Sequence, residues 1–393
     1  MMWIQTCAVA AVLAGSADNA PDNAPAWRPG SAELLPLESL QGRSMDAELT
    51  DLNADGMPDL IVASEFGQNV VLLASRAGSF AESTNALPRG RIHDSEDIAV
   101  ADFDADDRPD IVFVAEDDQT NELYLQTQPG VFIDASDRLP APGGVSNAVL
   151  AVDIDADGDL DLILGNAGDN VVLLNDGAAG FTPDQDGRIP ADARTTQDIE
   201  PADIDADGDT DLIIANEDGN RILINDGRGF FDDETDERLP SMPDIETREI
   251  DAADLDADGD LDLVFANVGW RPGKDPTNRV LLNDGTGVFT EAESLPPSGG
   301  NTLDTELADL DGDGDTDILF GHSQSGPPVQ VWINGGNAAF KDRTASWVPQ
   351  LTLVHTIDLE PIDLDADGKL DLYIANHVSA DVLLVNKPVK NAG

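Results

Sequence analysis

The hydrophobic pattern of the chain is periodic at two scales. At the short scale, apolar runs such as Leu212-Ile213-Ile214-Ala215 are rich in Val, Ile, Leu and Phe and stop at Gly, Asn or Asp. That spelling belongs to short, buried strands bounded by turns. No stretch keeps a helical apolar period over ten residues between breakers, so helices are not expected to carry the fold. At the long scale, one order of segments recurs about every fifty residues. Around residue 200 it begins with an alternating segment, Thr196–Ala202, and an acidic stretch. The buried run 212–215, a polar turn over 216–220 and a second run over 221–225 follow. Asp226-Gly227 then gives the positive φ that a tight hairpin turn needs, and Gly229-Phe230-Phe231 leads on to Leu239-Pro240. Four short strands per unit of this length predict an all-β fold, a seven-bladed β-propeller of four-stranded antiparallel blades.

The ends of the pattern bear on closure. The last unit stops after Val382-Leu383-Leu384-Val385-Asn386 without a fourth strand. The segment 26–36 has the spelling of a fourth strand, and Leu35-Pro36 precedes Asp51 much as Leu239-Pro240 precedes Asp254. The N-terminal strand is therefore expected to complete the last blade and leave no open edge. This places the propeller at 26–387, after a linker at 18–25 and before a tail at 388–393. Residues 1–17 join an apolar run to small residues, the layout of a secretory signal, although no basic residue precedes the run. The only cysteine, Cys7, lies within them. Elsewhere no apolar run approaches the ~18 residues of a spanning helix. The expected location is secreted, periplasmic or cell-surface, and the expected state monomeric.

The acidic stretch is the most constant part of each unit. In Asp153-Ile154-Asp155-Ala156-Asp157-Gly158-Asp159-Leu160-Asp161 carboxylates stand at positions one, three, five and nine, with Gly at the sixth. Such stretches open at Asp51, Asp102, Asp153, Asp203, Asp254, Asp309 and Asp363, at intervals of 51, 51, 50, 51, 55 and 54 residues. Carboxylates crowded this closely repel one another, and Ca²⁺ takes about 6–8 oxygens from a loop that curls around it. The spacing therefore predicts up to seven Ca²⁺ sites. The expected ligands are Asp51, Asn53, Asp55 and Asp59; Asp102, Asp104, Asp106 and Asp110; Asp153, Asp155, Asp157 and Asp161; Asp203, Asp205, Asp207 and Asp211; Asp254, Asp256, Asp258 and Asp262; Asp309, Asp311, Asp313 and Asp317; and Asp363, Asp365, Asp367 and Asp371. A solvated acidic turn is the bland alternative for any one copy, and seven copies at fixed spacing weigh against it. In the second loop Asp107 replaces the Gly and Arg108 follows, so that loop is expected to be the weakest site. An EF-hand is excluded because position twelve falls on strand residues such as Val62, Phe113 and Leu164 where it needs a Glu.

Charge narrows the partners. The 393 residues carry 21 Lys and Arg against 78 Asp and Glu, a formal charge of −57. A nucleic-acid or anionic-membrane partner needs a basic footprint, and none exists.

The acidic loop leading into a strand at this period resembles the FG-GAP/VCBS repeats of integrin α-chain propellers and of many secreted bacterial proteins. The resemblance spans about 26–386 and, since a literal FG-GAP tetrapeptide is absent, favours the VCBS-like branch. It implies the propeller fold and calcium in the loops. The family includes adhesion modules, lectin-like binders and parts of lyases and phospholipases, so it implies no single activity.

Aligning the units on their loops exposes further rows. Seven residues before each loop stands a hydroxyl: Ser44, Ser95, Ser146, Thr196, Thr247, Thr302 or Thr356. Five before stand Asp46, Asp97, Ala148, Asp198, Glu249, Asp304 and Asp358, and three before Glu48, Ala99, Leu150, Glu200, Asp251, Glu306 and Glu360. Alternation places all three rows on one side of the innermost strand, as hydroxyl and carboxylate rings near a central channel. A ligand site is expected at the channel mouth, on the longer turns: Trp270, Arg271 and Lys274 in the fifth unit, His322 in the sixth, and His355 and His377 in the seventh. Trp beside Arg and Lys suits a sugar or an anionic group. The predicted function is a binding or adhesion scaffold for carbohydrate or extracellular protein. The alternative is a polysaccharide lyase or hydrolase using Asp304, Glu306, Asp358 and Glu360 with His355. No nucleophilic triad, phosphate loop or GxSxG is present.

Overall fold

A computed structural model describes residues 25–386 other than 26, 31–33, 36–39, 41, 76–77, 84–85, 89–91, 118, 142–143, 324–325 and 354. The expected signal segment and C-terminal tail, and all of the linker but Pro25, lie outside the described residues. The fourth unit is typical of the rest. Its strands Thr196–Ala202, Asp211–Asn216, Arg221–Asn225 and Phe231–Asp233 pair antiparallel in that order. Glu200 faces Ile213, Leu212 faces Leu223, and Leu223 faces Asp233. The second strand is buried along its whole length because both of its faces meet other sheets. Ile213 packs with Leu263, Phe265 and Leu281 of the fifth unit. Leu212 and Ile214 pack with Ile163 and Val172 of the third. This two-sided burial explains why the second strands read as unbroken apolar runs, each large side chain contributing about 1.5–3 kcal/mol. The outer strand buries only Phe231.

The other units repeat this order. Their first strands are Ser44–Thr50, His93–Ala101, Ser146–Val152, Thr247–Ala253, Thr302–Ala308 and Thr356–Ile362. In the last sheet Thr356–Ile362, Asp371–Asn376 and Val382–Asn386 are followed by Trp27–Pro29, with Trp27 opposite Asn386. Units one and two are also joined by a short bridge, Glu65 to Asp94 and Gly67 to His93. Consecutive first strands lie side by side, and Thr356–Ile362 lies against Ser44–Thr50. Among the described residues helix is limited to single turns such as Thr235–Arg238 and Thr344–Trp347. The fold is all-β, built of repeated four-stranded antiparallel sheets, and consistent with a β-propeller.

One feature of the first strand departs from simple alternation. In every unit the register shifts between the residue seven before the loop and the residue five before it, as between Thr196 and Asp198. This is a β-bulge, which inserts one residue and re-aims its neighbours.

Candidate functional sites: acidic loops and the channel mouth

Each acidic loop is wired by its own carboxylates. The first-position Asp accepts main-chain N–H bonds from positions five and six, as Asp153 does from Asp157 at 3.1 Å and Gly158 at 3.1 Å. The fifth-position Asp accepts the N–H of position seven, as Asp207 does from Asp209 at 3.0 Å. The ninth-position Asp is buried and accepts two: for Asp211, from Ile204 at 3.2 Å and from Asn225 on the third strand at 2.9 Å. Burial pushes these ninth-position acids up, to about 7 at Asp161 and Asp211 and about 8 at Asp317. The backbone is held in an unfavourable shape, with the fourth-position Ala206 at φ 59° and Gly208 at φ 98°.

The loops also clamp adjacent sheets. In three loops the carbonyl at position two accepts from an Asn that ends the third strand of the next unit. Asn175 reaches Phe103 at 2.9 Å, Asn283 reaches Ile204 at 2.8 Å and Asn334 reaches Leu255 at 2.7 Å. Arg238 adds a second tie, donating to Asp205 at 3.0 Å and to the Thr286 carbonyl at 2.7 Å.

In four of the loops one oxygen of the third-position acid has no partner. In the loops opening at Asp102, Asp153, Asp203 and Asp254, oxygens of positions one, three and nine lie within 4.8 Å of one another. Buried oxygens of Asp104, Asp155, Asp205 and Asp256 there accept no hydrogen bond. Hard, converging and unpartnered oxygens fit a divalent cation, which positions one, three and nine would hold. The fifth-position acid, also expected as a ligand, spends one oxygen on the N–H of position seven. Two loops differ. In the second, Arg108 turns its guanidinium onto Asp106, and Asp107 adopts φ 64° in place of Gly. In the first, Asn53 donates its amide to Asp59 at 3.1 Å.

The channel rows are sorted differently from the expectation. The bulge takes the hydroxyls out of the row; all are buried, five linked to asparagines, Ser44 to Asp381 and Thr302 to His322. Thr247 donates to Asn267 at 2.7 Å and accepts from Asn220 of the preceding unit at 2.8 Å. The expected hydroxyl ring is therefore an internal network. The bulge brings forward the residues six before each loop, which strict alternation had pointed away. Met45, Glu96, Asn147, Gln197, Arg248, Leu303 and Ile357 all line one cavity of about 240 Å³. Below them lie Asp46, Asp97, Asp198, Glu249 and Asp358, and around them Glu65, Glu116 and Glu217. Burial, with Glu116 and Asp94 nearby, pushes Glu96 up to about 8. The signal for these residues was the bulge, which period-two reading does not contain.

The six side chains expected to meet a ligand are not brought together as one site. Trp270 is 44 % exposed, with the guanidinium of Arg248 5.2 Å from its ring centre, a pair that the sequence reading missed. Arg271 is held by Glu246 at 2.7 Å and Asp218 at 3.2 Å, and Lys274 by Asp218 at 2.9 Å and Asp244 at 2.5 Å. Both cations pin the long turn. His322 is 2 % exposed, bonded to Thr302 and Gln330, so it cannot touch a surface ligand, and burial lowers it to about 4. His355 and His377 do meet, ring centres 6.0 Å apart, but Ser323 holds the first at 2.9 Å and Glu65 the second at 2.5 Å.

The FG-GAP-like repeat family matches residues 51–113, 112–164, 153–214, 203–265, 267–320 and 309–374. The chain belongs to this family. Four of the FG-GAP-like matches begin on the opening aspartate of an acidic loop, at Asp51, Asp153, Asp203 and Asp309. No curated protein matches the chain. Solved structures share the fold at low identity. A lectin of Agrocybe aegerita, described for specific recognition of non-reducing terminal N-acetylglucosamine, is 18 % identical at a TM-score of 0.56, covering 86 % of this chain and 87 % of its own. BBS1N in complex with ARL6DN is 11 % identical at a TM-score of 0.56, covering 93 % and 99 %. The extracellular domain of the one-component system BT4673 from B. thetaiotaomicron is 13 % identical at 0.52, with 92 % of this chain matching 40 % of that one. Among the described residues no helix is long and apolar enough to cross a membrane.

Proposed function

We propose that the chain closes into a seven-bladed, calcium-loaded propeller working outside the cytoplasm as a binding scaffold for carbohydrate or an extracellular protein. The observation that carries this reading is the set of buried, unpartnered oxygens of Asp104, Asp155, Asp205 and Asp256, repeated in loops that also tie sheet to sheet. A cation there offsets the repulsion of the loop acids and stiffens the ties between units. Closure is supported by the pairing of Trp27 with Asn386 and by the packing of the last first-strand on the earliest. Trp270 with Arg248, at the rim of the acidic cavity, is the surface best suited to a sugar ring or a protein side chain. The lectin and the complex among the structural neighbours suggest those partner classes.

The lyase or hydrolase reading has less support. Of the residues it names, Asp358 accepts the main-chain N–H of Leu359 and His355 is held by Ser323 at 2.9 Å, which is structural employment. Two measurements test the proposal. A bound ion at 100 times its Kd adds about 2.7 kcal/mol per site, so chelation is expected to lower Tm by on the order of 10 °C or more, and an unchanged melt sinks the calcium reading. On a glycan and extracellular-protein array, Trp270→Ala is expected to lose binding with Tm unchanged. Turnover of acidic polysaccharide, abolished by Glu306→Ala, would reverse the choice in favour of an enzyme.

A further inference from the structure

We propose that Asp304, Asp358 and Glu249 hold one divalent cation inside the channel between the first strands, at a site separate from the acidic loops. The argument starts from what the channel acids ordinarily do. Asp97 accepts from its own neighbour Ile98 at 2.7 Å and from Val149 of the next unit at 2.6 Å. Asp198 accepts from Ile199 at 2.6 Å and from Ile250 of the next unit at 2.9 Å. Glu249 likewise accepts from Thr305 at 3.2 Å. Each such acid covers an N–H that the bulged strand would otherwise leave bare.

Asp304 stands at the same register and has lost this employment. The corresponding donor on the next strand is the N–H of Leu359, and Asp358 takes it. Asp304 is 0 % exposed, and neither of its carboxylate oxygens accepts a hydrogen bond. One oxygen of Asp358 is also buried and unpartnered. The Asp304 carboxylate lies within hydrogen-bonding reach of both Glu249 and Asp358. Three carboxylates thus converge in the interior with no cationic side chain among them. Arg248 sits higher, facing Glu246, Glu217, Glu96 and Glu116.

A buried carboxylate without donors either takes up a proton, which Asp304 could share with Glu249 or Asp358, or is met by a positive charge. Convergent hard oxygens suit Ca²⁺, Mg²⁺ or Mn²⁺ rather than a thiophilic metal. An organic amine fits less well, because no aromatic side chain lines the cavity. An entry path exists, since Glu249 and Asp358 both line the cavity of about 240 Å³ while Asp304 lies behind them. That volume admits a hydrated ion, a water occupying about 30 Å³ of liquid.

The test counts bound calcium on the full chain, stripped of metal and then dialysed against calcium at pH 8. Wild type, Asp304→Asn and the loop variant Asp311→Asn are compared by elemental analysis. Asp304→Asn is expected to lose one ion per chain, Asp311→Asn a different one, and the double variant two. Crystals of the wild type soaked in Mn²⁺ are expected to show an anomalous peak between Asp304 and Asp358, which decides the matter if Asp304→Asn does not fold. An equal ion count in wild type and Asp304→Asn, with no anomalous peak there, overturns the proposal and leaves carboxylates that share protons only. Loss of the ion on Asp304→Asn with none bound by the loops would sink the loop reading and leave this one standing.

Discussion

The second acidic loop differs from the others at its sixth and seventh positions. Arg108 brings its own positive charge onto Asp106, so the second loop is partly neutralised from within. Asp107 meanwhile holds φ 64° where the other loops use Gly. The double change Asp107→Gly with Arg108→Ala is expected to tighten calcium binding at this loop by tenfold or more, since about 1.4 kcal/mol of competition is modest for a displaced guanidinium. Calorimetric titration would show the gain, and an unchanged isotherm would mean that the guanidinium does not compete. The loop acids were readable at this scale because their chemistry lies in residue type and spacing. Roles within the loop were not. That the ninth position anchors the third strand, as Asp211 does on Asn225, depends on a partner fourteen residues away.

At the level of strands and loops, sequence reading succeeded where contacts are local in register and failed where a bulge intervened. The second strand was legible because burial on two faces forces an apolar run, as in Asp211–Asn216. The first strand was misread because one inserted residue exchanges the sides of Thr247 and Arg248. The clamp between units was not legible either. It hangs on Asn175, Asn283 and Asn334, and an Asn before Asp-Gly or Gly-Gly reads simply as a turn residue. Asn283 is 5 % exposed, donates to Ile204 and Leu261, and accepts from Gly285 and Gly287. Asn283→Ala strands two carbonyls and two N–H groups, so a loss of about 2–4 kcal/mol is expected by chemical denaturation. Asp284→Ala, altering the neighbouring exposed turn acid, is the comparison, and equal losses in the two variants would remove the clamp from the account.

For the molecule as a whole, buried acid makes stability depend on pH in an unusual sense. Burial, together with Asp97 and Asp358, pushes Glu48 up to about 8, and burial with Glu116 does the same to Glu96. An unfolded glutamate titrates near ~4.3, so between these values the folded state binds more protons than the unfolded one. Their stabilisation is complete below the unfolded value and is lost as pH rises through about 8. Metal-free protein is therefore expected to melt at higher temperature at pH 5.5 than at pH 8.5, with Glu96→Gln flattening the profile. A Tm that climbs with pH in metal-free buffer would contradict this assignment.

The pairing of Trp27 with Asn386 sets an order of events during synthesis. A ribosome makes Trp27–Pro29 long before Val382–Asn386, and the earlier strand must wait for the later one. Until then Val382–Asn386 does not exist to receive it, and the apolar face of Trp27, 4 % exposed in the finished protein, has no place to go. Intervening units can fold against their neighbours as they appear, but the final sheet waits for residues 382–386 to be made. Docking of Trp27–Pro29 thus waits on Val382–Asn386, and a nascent chain stalled short of residue 386 leaves the apolar face of Trp27 uncovered.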